Sequence, residues 1–151
     1  MIEKSKYSIH DLSRMEASKK GELARFNMPF ELGMDFGCKR YKGGKHNDKK
    51  CLILDKERYR YHKAMSDISG SDISGHNNAP ETAIRQVRNW LQKQQGEDEP
   101  ALLIGSDIWT WYNEFEGNFE VYTNKSDRDQ MPWNEYFNYI KAFLTGKRKL
   151  P

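Results

Sequence analysis

The longest unbroken apolar runs in this chain are only four residues long, Cys51-Leu52-Ile53-Leu54 and Ala101-Leu102-Leu103-Ile104. A membrane-spanning helix needs about 20 apolar residues, so no segment of that kind is present. The first run follows Lys50 and ends at Asp55. A short aliphatic stretch with such bounds suits a strand covered on both faces, as in a parallel sheet. Residues 7–12 (YSIHDL) read as an earlier strand, with Tyr7, Ile9 and Leu12 supplying β-favouring bulk. Between the two, residues 13–27 are polar and read as a loop.

Residues 28–41 (MPFELGMDFGCKRY) then read as a helix. Pro29 suits a first helical turn. Phe30, Gly33, Met34, Gly37, Cys38 and Tyr41 recur at helical spacing, and glycines on that face would let the backbone approach a sheet closely. Residues 43–48 read as a turn and 57–65 as a second helix. Residues 66–75 are a tandem SDISG duplication. It is too short for a repeat architecture and reads as a loop with a short strand at 72–74. A helix over 78–94 carries Ala83, Ile84, Val87 and Leu91 on one face. Another opens at Pro100, a linker covers 123–130, and a last helix starts at Pro132 and ends in a basic tail. This order predicts an α/β domain with a parallel sheet over 1–95 and a helical extension over 96–151. Only two or three strands are visible, and the first, which would be central, lies close to the start of the chain.

Aromatic residues make up 13% of the chain, which excludes disorder for its body. The 25 basic and 22 acidic residues leave a formal charge of +3, too mild to indicate nucleic acid. The opening MIEKSK has no apolar segment of the signal-peptide kind. The two cysteines, Cys38 and Cys51, permit a disulfide, but two reduced thiols in a cytoplasmic protein are the expectation. Neither they nor the scattered His10, His46, His62 and His76 make a metal signature, so no metal and no cofactor is expected. His10 reads as a satisfied strand residue and His46 as a solvated loop residue.

Ligands of an open parallel sheet sit beyond the carboxyl ends of its strands. Asp11 and Ser13 after the first strand, Asn27 and Glu31 at the helix entry, and Asp55 after the second strand fill that rim. Glu31 is expected in the first helical turn, where the terminus favours its ionised form. An ionised carboxylate facing a sugar can act as a nucleophile or stabilise an oxocarbenium ion. Service to the helix terminus alone is the other reading. Gly43-Gly44-Lys45 lacks phosphate-loop spacing and reads as a turn. Ser66, Asp67, Ser71 and Asp72 read as a solvated turn or a pocket mouth. The run Arg58-Tyr59-Arg60-Tyr61 suits either phosphates and bases or a helix with a basic side in water.

The segments Ile9-His10-Asp11-Leu12-Ser13 and Asn27-Met28-Pro29-Phe30-Glu31-Leu32-Gly33 together resemble the nucleoside deoxyribosyltransferase-like and TIR-like families. The resemblance covers roughly residues 5–54. It implies a three-layer, flavodoxin-like sheet that binds a nucleotide, with Glu31 as the catalytic carboxylate and Asp11, Ser13, Asn27 and Asp55 around the pocket. It also implies a preceding strand and nucleotide-cradling loop, for which the residues before Tyr7 leave no room. Two functions follow as expectations. One is cleavage or transfer at the N-glycosidic bond of NAD or another nucleotide; the other is a nucleotide-sensing or protein-interaction module without turnover. The aromatic-rich C-terminal helices are expected to form a second small core or the surface of a homodimer.

Overall fold

The computed structural model describes residues 2–17, 19–60, 65, 68 and 71–147. Three strands form one parallel sheet in the order β1 (Tyr7–Asp11), β2 (Lys50–Asp55), β3 (Asp72–Gly75). Register pairs Ile9 with Leu52 and Ile53 with Ile73. β2 is thus central, and β1, expected to be central, lies at an edge among the described residues.

The apolar run of β2 supplies both faces. Cys51 and Ile53 point to the side of helix α1 (Asn27–Lys42), where Leu12, Leu32, Ile53 and Ile68 form one cluster. Leu52 and Leu54 point the other way, to Val87, Trp90 and Leu91 of helix α2 (Pro80–Gln94). The alternation inherent in a strand therefore places one helix on each face.

α1 corrects the expected packing face. Phe30 is 69% exposed and Tyr41 83%, Met34 is exposed too, and nothing approaches the position of a Cβ at Gly33. The buried positions are instead Leu32 and Asp35, with Met28 and Phe36 beside them. The chosen stripe and the real one differ by a rotation about the helix axis, and the real one centres on a charged residue. Glu31 also lies in the second turn, because the helix already starts at Asn27.

Residues 61–64, part of the helix expected over 57–65, and Ser66 and Asp67 lie outside the described residues. Gly75 sits where an added Cβ would be 2.9 Å from the Arg58 backbone nitrogen, so that approach requires glycine. Residues 100–104 are not helical. The Leu102 N–H donates to Gln92 Oε1 at 2.8 Å and its carbonyl accepts from Arg88 Nη2 at 2.6 Å, which ties the segment to α2 in extended form.

The chain divides into two compact units, Met1–Leu102 and Leu103–Pro151. The second holds α3 (Gly105–Tyr122), α4 (Lys125–Gln130) and α5 (Trp133–Lys147). α4 replaces the expected linker. Asn124 caps it by accepting from the Asp127 N–H at 2.9 Å, an Asn-x-x-Asp signal not recognised in the sequence. Phe115 and Phe119 form a small aromatic core with edge-on contacts to Tyr136. No helix of the described residues is long and apolar enough to cross a membrane.

Candidate functional site

The carboxyl ends of the three strands open onto one cleft of about 500 Å³. Ser13 and Arg14 reach it from the loop after β1, Lys56 from the loop after β2, and Asn78 from the turn after β3. The long β1–α1 loop adds Glu16, Glu22 and Arg25. This is the edge at which open parallel sheets hold ligands. Asn77 and Asn78 have φ of 52° and 55°. Two successive left-handed non-glycine residues are uncommon and often accompany function. Their turn is fixed by the His76 N–H to the Asp55 carbonyl (2.9 Å) and the Asn77 N–H to the Lys56 carbonyl (2.8 Å).

The strand ends beside the cleft are organised by charge. Asp55 is fully buried, and its Oδ1 accepts from the Lys56 N–H (2.7 Å), Arg60 Nε (2.9 Å) and Arg60 Nη2 (2.5 Å). Arg60 Nη2 also donates to the Leu12 carbonyl at 2.6 Å. The guanidinium therefore staples the end of β1 to the end of β2. Arg60 Nη1 and Lys56 Nζ both meet the Glu16 carboxylate, at 3.1 and 2.6 Å. These contacts hold Glu16 below the usual carboxylate range. Arg14 and Arg25 are exposed and have no ion-pair partner among the described residues.

The residues expected at the rim are placed differently from one another. Ser13 lines the cleft. Asp11 accepts from the Ser13 N–H at 2.9 Å and lies 3.4 Å from His76 Nε2, so it shapes the β1 exit. Asp55 turns inward to Arg60. Asn27 is exposed at the start of α1, and Glu31 is half-buried one turn before Asp35; neither is among the residues lining the cleft. Arg14, Glu16, Arg25, Lys56 and Asn78 were missed. Arg14, Glu16 and Arg25 fall in the polar stretch 13–27, which reads only as a loop, and Asn78 falls at what reads as a helix start, so their position after strand ends is the one signal the sequence carries for them.

Beneath this edge, between β1 and α1, lies a buried polar cluster. Asp35 accepts from Ser8 Oγ at 2.5 Å and is ion-paired with Lys49 Nζ at 2.9 Å. Lys49 also donates to the Ile2 and Ser5 carbonyls. His10 is 4% exposed, and neither ring nitrogen has a hydrogen-bond partner among the described residues, which corrects the expectation of a satisfied strand residue. Burial pushes its imidazole below the ordinary range, with Lys49 acting in the same direction and Asp35 and Glu31 opposing. His46, expected in solvent, is buried too, with Nδ1 3.8 Å from Cys38 Sγ.

Candidate ligand atoms of His10, Asp35 and Cys51 lie within 4.8 Å of one another. The chemistry opposes a cation there, because the Lys49 ammonium already neutralises Asp35. Burial also pushes the Cys51 thiol up to about 11, which keeps it protonated at neutral pH. Both cysteines are free thiols.

Comparison with protein-family models, curated proteins and solved structures finds no match to this chain. The functional reading thus rests on the cleft and its charges.

Proposed function

We propose that Met1–Leu102 is a nucleotide-handling domain that takes a phosphate ester into the cleft at the carboxyl edge of its sheet. The observation that supports this is the convergence of Arg14, Arg25 and Lys56 on a cleft of about 500 Å³ at that edge. Guanidinium and ammonium groups suit phosphate oxygens, and the volume suits a nucleotide-sized ligand. The helix on each face of a small parallel sheet is compatible with the flavodoxin-like, TIR-like layout that the Asp11–Ser13 and Asn27–Gly33 segments resemble. Calorimetric titration of the full chain with ADP, NAD and adenosine tests the reading. ADP and NAD bind and adenosine does not, and Arg25→Ala with Lys56→Ala weakens binding at least tenfold, at about 1.4 kcal/mol per decade. Equal binding of adenosine, or no effect of the two substitutions, overturns it.

Chemistry at the N-glycosidic bond, with Glu31 as the carboxylate, is a separate proposal. Release of nicotinamide from NAD, lost in Glu31→Gln, is its expected result; release undiminished by that change removes Glu31 from the role. One observation favours binding without turnover: Glu31 does not line the cleft and stands beyond the first turn, where the charge of the helix terminus has faded.

A further inference from the structure

The Glu16 carboxylate on the cleft wall bridges two cations, Lys56, which also lines the cleft, and Arg60, which does not. Its Oε2 lies 2.6 Å from Lys56 Nζ and its Oε1 3.1 Å from Arg60 Nη1. The other donors of Arg60, Nε and Nη2, are committed to Asp55 and the Leu12 carbonyl. The corner that meets Glu16 is therefore the part of the guanidinium not already used in holding the strands together. Two oxygens of one anion held by two cations is also how a phosphate would be gripped at the same place.

We propose that Glu16 is a built-in stand-in for the ligand's anionic group, holding Lys56 and Arg60 until a phosphate displaces it. This rests on the cleft being the nucleotide site. Three features make the carboxylate replaceable. Its side chain is 60% exposed, whereas those of Lys56 and Arg60 are 26% and 6% exposed. It is carried by the irregular β1–α1 loop, outside any helix or strand. The carboxylate side of both pairs faces solvent, which screens them and keeps each weak.

The consequence is selectivity by charge. A singly charged anion entering the cleft exchanges one carboxylate-like partner for another and gains little. A terminal phosphate such as that of ADP carries a charge of about −1.5 to −2 at neutral pH, so it gains on the same exchange. It also meets Arg14 and Arg25, which Glu16 does not occupy.

The test compares the full-length wild type with Glu16→Gln in titrations with ADP and with acetate, their folds matched by circular dichroism. Glu16→Gln is expected to bind ADP about three- to tenfold more tightly, the worth of one or two exposed ion pairs. Acetate is expected to bind measurably only to the variant. Should Glu16→Gln fold poorly, Glu16→Asp, which keeps the charge but shortens the reach, is expected to bind ADP with intermediate affinity. ADP binding by wild type with equal or weaker binding by both variants overturns the role of Glu16 and leaves the cleft reading standing. Absence of ADP binding by every form overturns both.

Discussion

At the scale of single residues, the buried cluster under β1 makes a prediction that the cleft does not. Lys49 and Asp35 are 3% and 1% exposed and paired at 2.9 Å. Removing one partner of such a pair strands the other charge in the interior. Lys49→Met should therefore cost about 3–5 kcal/mol in chemical denaturation, and adding Asp35→Leu should recover part of it. A loss below about 1 kcal/mol in the single variant means that solvent reaches Asp35. His10 adds a pH dependence of definite sign. Its folded pKa is lowered by burial, so the unfolded chain binds the proton more readily. Stability is then fully present above the ordinary histidine pKa of about 6.5 and falls as pH drops through and below it. His10→Asn should flatten the slope of stability below about pH 6.5; an unchanged slope assigns it to other groups. None of this was legible in the sequence. Asp35 and Lys49 look like ordinary surface charges, and only the fold brings residues 14 positions apart together with His10. Asp11 and Ser13 were legible at the strand exit because their position follows from the strand itself.

At the scale of elements, β2 and α2 were readable and α1 only in part. The four apolar residues between Lys50 and Asp55, three of them aliphatic, suit a strand covered on both faces, and α2 begins at Pro80 with its apolar residues at clear helical spacing. α1 has no such clarity, since Phe30, Met34 and Tyr41 compete with Met28, Leu32 and Phe36 for the inward side. The sequence offers two stripes, and the buried pairing of Asp35 with Lys49 and Ser8 accompanies the second one. The distinction is measurable. Leu32 is 1% exposed in the cluster with Ile53, so Leu32→Ala should cost about 2–5 kcal/mol. Phe30→Ala and Met34→Ala, on the exposed side, should each stay within about 0.5 kcal/mol of wild type. The opposite ranking in urea denaturation would restore the glycine-lined face as the packing face. The boundary at Gly105 and helix α4 were missed for local reasons. Leu102 takes its hydrogen bonds from α2 rather than from a helix of its own, and the Asn124–Asp127 cap sits in a stretch whose polarity reads as linker.

At the scale of the whole molecule, each unit leaves apolar surface that its own residues do not cover. In Leu103–Pro151, Phe115 and Phe119 are the buried apolar residues among those described, while Trp133 is 73% exposed and Phe137 44%. A groove of about 210 Å³ between α3 and α5 is lined by Trp111, Phe115, Tyr136 and Phe143 among others. A core this small supplies only a few kcal/mol, so further burial of the aromatic surface would add to it. In Met1–Leu102, the outer edge of β1 has no partner strand among the described residues, and Tyr7 and Ile9 on it are 38% and 42% exposed. Exposed strand edges invite pairing, and aromatic side chains are enriched where interfaces are most buried. A second copy of this chain is the occupant expected here, because a twofold homodimer is the commonest closed assembly and brings the same aromatic surface to both sides of the contact. Light scattering at tens of micromolar should therefore return twice the 17.8 kDa chain mass. Trp133→Glu with Phe137→Glu should return the single-chain mass with the helical signal retained, since both residues are exposed within the unit itself. A single-chain mass for the wild type across that concentration range overturns the dimer.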